Sequence, residues 1–133
     1  MLRQGDNSKF YVKNLTKGRV PSLPFVEIKN AVLGKKYELS LVFSDDALLK
    51  RLNRIYRGKN KTTNVLSFSL SKTSGEIFLN LSLIKKEFMI HDSSFKLHVL
   101  RLFIHALLHL KGMSHGSRME RAEIKFLKKF NFC

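Results

Sequence analysis

Residues 92–115 read DSSFKLHVLRLFIHALLHLKGMSH, and this stretch decides how the rest of the chain is organised. Asp92 to Ser94 offer capping side chains for a long helix reaching Lys111. Nearly every residue of that helix is apolar except one stripe: His98, Arg101, His105 and His109. A helix apolar on most sides is usually central to its domain. A polar stripe along it must find water, partners or a metal to offset its desolvation. The stripe therefore reads as the wall of a cleft.

Within it, His105 and His109 stand one helical turn apart on one face. Gly112 follows, where a glycine can take the left-handed conformation that ends a helix, and His115 comes three residues later. The turn can bring the third ring back to the first two. Three neutral imidazoles on a tetrahedral metal leave the fourth position for water, the pattern of catalytic rather than closed structural zinc. The spacing coincides with the H-E-x-x-H-x-x-G-x-x-H motif of one class of metalloprotease, except that the glutamate serving there as general base is Ala106 here. Metal binding is supported and proteolysis is not. A single histidine on such a face is more often satisfied by hydrogen bonds, but three with a glycine in this arrangement match what coordination demands.

Working outward, Phe10 to Leu15 reads as a first strand, followed by a loop through Gly18 and Pro21. Pro24 suits the first turn of a helix with Phe25, Ile28, Val32 and Leu33 inward and Gly34 as its stop. Tyr37, Leu39, Leu41 and Phe43 alternate with Glu38, Ser40 and Val42, the period of a strand with one face on a core. Ser44 is expected to cap the next helix, with Asp45 and Asp46 near its positive end and Leu48, Leu49, Leu52, Ile55 and Tyr56 buried. The basic run Arg57-Gly58-Lys59-Asn60-Lys61 would ordinarily be a solvated turn. It leads directly into a strand, Thr62 to Leu70, with Leu66, Phe68 and Leu70 on one face, which pairs as an antiparallel hairpin with Glu76–Leu79. One side of the sheet is apolar and wants helices. Asn80 or Ser82 starts a helix with Leu81, Ile84, Phe88 and Met89 inward. Ser117 and Glu120 have capping-box spacing for a last helix carrying Met119, Ala122, Phe126 and Phe130.

At 133 residues and 44% hydrophobic content, the chain fits one domain, 1–133, with a real core. Lysine and arginine number 25 against 10 acidic residues, a formal charge of +15. An excess this large favours a polyanionic partner, nucleic acid first, over charge kept only for solubility. The lone Cys133 has no partner for an intramolecular disulfide, and Met1–Ser8 lacks the apolar stretch of a signal peptide. No run of about 18 uncharged apolar residues occurs. A cytoplasmic protein with no membrane span is the expectation.

Three blocks, RGKNKTTNVLSF (57–68), Gly75-Glu76-Ile77 and HALLHLKGMSH (105–115), resemble the signature of the YbeY family, bacterial single-strand-specific endoribonucleases that mature ribosomal RNA. The likeness spans about Leu52 to Glu123. It implies zinc, one ion per chain, held by His105, His109 and His115, and a functional arginine at Arg57. It also implies an α/β (α+β) fold, here about five helices packed on a small mixed sheet of about four strands, with the metal site on a central helix. Single-stranded RNA, ribosomal RNA of the small subunit above all, is the implied partner, and maturation of its 3′ end the implied process. Three positions depart from the family: Ala106 for glycine, Met113-Ser114 for tyrosine-aspartate, and Ser69 for proline. None removes a ligand, but the missing acidic neighbour of His115 alters what orients that ring.

A mechanism fits both lines. Zinc can lower the pKa of bound water from about 15.7 to about 7, so Ala106 is no obstacle. Arg57 would hold the scissile phosphate, and Lys59 and Lys61 would guide the strand without reading its sequence. His98, Arg101 and Glu76 are weaker candidates near the cleft, Thr63, Asn64 and Ser67 are possible hydrogen-bonding residues, and His91 reads as a loop residue. Two other classes fit part of the pattern. One is a non-catalytic ribosome-associated RNA-binding factor with a structural metal. The other is a metal-dependent peptide or amide hydrolase, which the charge and Ala106 disfavour.

Overall fold

The apolar 95–110 helix sits where its pattern requires, at the centre. A computed structural model describes residues 9–90 and 94–130. The expectations for Met1–Ser8, His91, Asp92, Ser93 and Cys133 lie outside the described residues, as do the side chains of Phe88 and Met89. The elements run β1 (Phe10–Asn14), α1 (Phe25–Leu33), β2 (Glu38–Ser44), α2 (Asp46–Arg57), β3 (Val65–Ser71), β4 (Ser74–Asn80), α3 (Leu81–Ile90), α4 (Phe95–Leu110) and α5 (Ser117–Lys129). Ser94 caps α4 by accepting from the Leu97 N–H at 3.4 Å. Its Val99, Leu100, Phe103, Ile104 and Leu107 are fully buried, each contributing about 1.5–3 kcal/mol. The helix packs against α1, α3, α5 and the sheet.

The sheet order is β1-β2-β4-β3, with β1–β2 and β2–β4 parallel and β3 antiparallel at the edge. Leu39, Leu41 and Phe43 lie opposite Gly75, Ile77 and Leu79, so these residues share one buried face. Phe25 of α1 joins that face to α4, edge-on to Phe43 at 5.9 Å and to Phe103 at 5.0 Å. Glycine is required at 75: a Cβ there would come within 2.5 Å of the Tyr37 hydroxyl and 3.0 Å of both the Leu110 side chain and the Phe68 carbonyl. No described helix is long and apolar enough to cross a membrane.

Four local expectations are corrected. Ser44 does not cap α2: it is still in the ladder, opposite Asn80, and the cap is Asp45, whose Oδ1 accepts from the Leu48 N–H at 3.1 Å. Ile55 and Tyr56 are 59% and 66% exposed because the last turn of α2 overhangs the edge strand, while Asn53 is buried in the stripe instead. Leu66 and Phe68 do share a face, opposite Phe78 and Glu76, while Val65 and Ser67 lie opposite Leu79 and Ile77, but Leu70 does not join them under cover. Leu70, beyond the cover, is 61% exposed. The Ser117–Glu120 box does not form, because Gly116, at φ +149°, occupies the N-cap and offers no side chain.

Two buried amides fix the segment between α2 and β3. Asn53 Nδ2 donates to the Lys61 carbonyl at 2.9 Å. Asn80 Nδ2 donates to Asp46 and to Thr62 Oγ1 and the Thr63 carbonyl, while its Oδ1 caps α3 at the Leu83 N–H. The segment is thereby tied to α2 and to the junction of β4 with α3.

Candidate metal centre

The last turns of α4 carry His105 and His109, and the helix stops at a Schellman motif. The Met113 N–H reaches the Leu108 carbonyl at 3.0 Å and the Gly112 N–H reaches the His109 carbonyl at 2.9 Å, with Gly112 at φ +102°. The reversal returns His115 to the helix. Ring centroids are 4.6 Å apart for His105–His109, 4.7 Å for His109–His115 and 5.0 Å for His105–His115. One nitrogen from each ring falls within 4.8 Å of the others.

The outer hydrogen bonds determine which nitrogens face inward. His105 Nδ1 lies 3.0 Å from Glu123 Oε2, and His109 Nδ1 lies 3.1 Å from the Met113 carbonyl. A neutral ring facing an acceptor there must carry its proton on Nδ1, which leaves the lone pair on Nε2. The two Nε2 atoms stand 3.1 Å apart, so satisfying both outer bonds sets two lone pairs against each other. A hydrogen bond between them would require an imidazolium or the loss of an outer bond. A cation relieves the conflict: tetrahedral zinc at about 2.0–2.1 Å from each nitrogen puts ligands about 3.3–3.4 Å apart. The donor set fits a zinc-like ion. Burial holds His109 below the ordinary histidine value, with His105 and His115 adding to the effect, the Met113 carbonyl opposing it and Arg57 contributing a smaller lowering. Neutral imidazole is the ligand form.

The rings line a cavity of about 650 Å³ together with Arg57, Tyr56, Thr63, Ser67, Phe68 and Ala106. Arg57, the last residue of α2, also borders an adjoining groove of about 350 Å³ with Lys59, Lys61, Asn64 and Glu87. The structure thus brings together Arg57 and the three histidines, and sets Lys59 and Lys61 beside them. Thr63 and Ser67 face the cavity. Asn64 instead donates to Glu87 at 3.2 Å, and Glu87 pairs with His98 at 3.0 Å. Arg101 is exposed. Glu76 lies opposite Phe68, on the face of the sheet turned away from α4, so it does not back a histidine. That role falls to Glu123, which the sequence reading missed. Its signal was an acidic residue on the inward stripe of α5, one turn after the buried Met119. His115 is exposed and, among the described residues, its ring has no hydrogen-bond partner.

A family model described as Endoribonuclease YbeY matches residues 8–131. A relative of that name from Neorickettsia sennetsu is 37% identical over 107 residues, covering 72% of this chain and 75% of its own. One from Ehrlichia ruminantium (strain Gardel) is 36% identical over 131 residues, covering 91% and 79%. The solution structure of TM1509 from Thermotoga maritima superposes with a TM-score of 0.66 at 20% identity, covering 91% of this chain and 88% of that one. This last likeness supports the α/β fold.

Proposed function

Because the chain belongs to the endoribonuclease YbeY family, we propose that it is a zinc-dependent, single-strand-specific endoribonuclease. We assign it to the cytoplasm and to ribosome biogenesis, in 3′ end maturation of small-subunit ribosomal RNA, with residues 1–133 acting as one domain. One observation carries the reading: three imidazoles converge, two of them with inward lone pairs, in a cavity that also holds a guanidinium.

His105, His109 and His115 would hold the ion. Bound there, zinc supplies Lewis acidity at an open position, acidifying water or polarising a phosphate oxygen. Arg57 binds the scissile phosphate and offsets charge growing on its oxygens, for which a planar, permanently charged group is suited. Thr63 and Ser67 offer hydroxyls along the same wall. Glu123 reaches only the outer side of His105, so it orients that ring rather than taking a proton from substrate. Tyr56, packed edge-on to Phe68 at 5.3 Å but itself largely exposed, also lines the cavity. An open aromatic beside a guanidinium accommodates an unstacked base with its phosphate, whereas duplex bases have both faces covered. This supports the single-strand preference. Lys59 and Lys61 would contact backbone phosphates in the adjoining groove without reading sequence.

The test is to incubate zinc-loaded protein, purified without a histidine tag and analysed for metal, with single-stranded RNA and with a duplex of the same sequence. Cleavage of the single strand, reduced about 100- to 1,000-fold by Arg57→Ala and abolished by His109→Ala, supports the proposal. Cleavage that survives in His109→Ala points to a contaminant. Binding without cleavage by the intact protein would leave a non-catalytic RNA-binding factor.

A further inference from the structure

α5 begins two residues after His115 and has two unlike faces. Met119 and Leu127 are buried, and Ala122, Phe126 and Phe130 pack against the same core. On the other side, Arg118, Arg121, Lys125, Lys128 and Lys129 are all exposed. At about 100° per residue these five cations fall within an arc of about 100°, along about 16 Å of helix. No acidic residue lies in the stripe: Glu120 is to one side and Glu123 faces His105. Among the described residues none of the five makes an ion pair.

Local stability does not account for the arrangement. Lys128 and Lys129 in the last turn complement the negative end of the helix dipole. Arg118 and Arg121 stand near the opposite end, where cations are disfavoured, so something outside the helix is needed to make them favourable. That something must be anionic, extended and reachable from the histidine cavity. A membrane surface matches poorly, because the apolar face that would enter it is already packed on the core.

We infer that the Arg118–Lys129 stripe is a second contact surface for RNA: its first residue, Arg118, lines one pocket with His115, and the stripe runs on from there to bind phosphates of the strand beyond the cavity. This rests on the reading of the histidine cavity as the place where RNA is cut. In that arrangement the Arg57–Lys61 loop holds the strand at the cavity and α5 holds it farther along, so affinity for long substrates exceeds that for short ones with no base recognition added.

The experiment measures RNA affinity against salt for the full zinc-loaded chain, with cleavage kinetics on a long strand and on an oligonucleotide spanning only the cavity. The variant is Arg121→Gln/Lys125→Gln/Lys128→Gln, and the control, Lys13→Gln/Lys35→Gln/Lys36→Gln, removes equal charge from other exposed sites. Losing three phosphate contacts should flatten the log K against log salt slope by about 2. KM for the long strand should rise about tenfold while the short one is unchanged, and the control should keep most of its slope. Equal flattening in both variants would reduce the stripe to net charge, and an equal KM rise on both substrates would also overturn the inference. So would tighter, stripe-dependent binding to anionic phospholipid vesicles than to RNA. Affinity is read independently of turnover, so absent cleavage with an intact salt effect would sink the nuclease reading and leave the stripe standing.

Discussion

His105 and His109 stand on the final turns of α4, partly buried, each with its outer nitrogen matched to an acceptor. His115 stands in the turn that follows, exposed, with no such partner among the described residues. The first pair is oriented before any ion arrives, because ring rotation would break a hydrogen bond to Glu123 or to the Met113 carbonyl. The third ring is positioned only by backbone, between Gly112 and Gly116, both at positive φ. The centre is therefore preorganised on its helical side and adjustable on its loop side, and ion capture should order the second more than the first.

The strongest way to break this contrast is to remove a ligand from each side. His109→Ala should weaken zinc retention about a thousandfold or more and abolish cleavage, whereas His115→Ala should leave measurable two-imidazole binding, about 100-fold weakened. Chelator competition ranks them, and equal losses would erase the distinction. Next, Glu123→Ala should weaken zinc binding about 10- to 100-fold, with Glu123→Gln, which keeps an acceptor, losing less. Gly112→Ala places a side chain at φ +102° and should cost about 1–2 kcal/mol, read as a lowered urea midpoint. In the opposite sense, Ser114→Asp gives the loop side a neighbouring carboxylate and should tighten zinc binding by about three- to tenfold. The smallest effect is on pH. Burial and the neighbouring rings hold His109 below its ordinary value of 6.5. On acidification the unfolded chain takes up this proton first, so the metal-free protein should lose stability as pH falls from about 6.5 toward the lowered folded value and be flat above. Urea midpoints between about pH 5 and pH 8 should show this slope in the native chain and not in His109→Gln.

The helical side was also the more legible in sequence. The i, i+4 spacing of His105 and His109 and the apolar surroundings of their helix are local signals, and α4 obeyed them. Gly112 marked the reversal because few other residues adopt that backbone. What local pattern could not reveal was which partner each surface meets. The end of β2 depends on Asn80 across the ladder, which shifted the cap from Ser44 to Asp45. The exposure of Tyr56 and Leu70 depends on how far α2 extends over an edge strand. Glu76 reads from sequence as a candidate near the cleft, but register turns it to the far side of the sheet. Glu123 acts across a helix–helix contact that no spacing within α5 specifies.

The two amides that clamp the 58–64 segment have a thermodynamic consequence. With Asn53 holding Lys61 and Asn80 holding Thr62 and Thr63, the backbone between α2 and β3 has already given up its freedom during folding. Ordering a mobile contact residue on association costs about 0.5–1.5 kcal/mol, and here much of that cost is absent. Association on this flank should therefore have a small unfavourable configurational entropy, and substitution of either asparagine should register in calorimetry as a larger entropic penalty before any contact with the phosphates is lost.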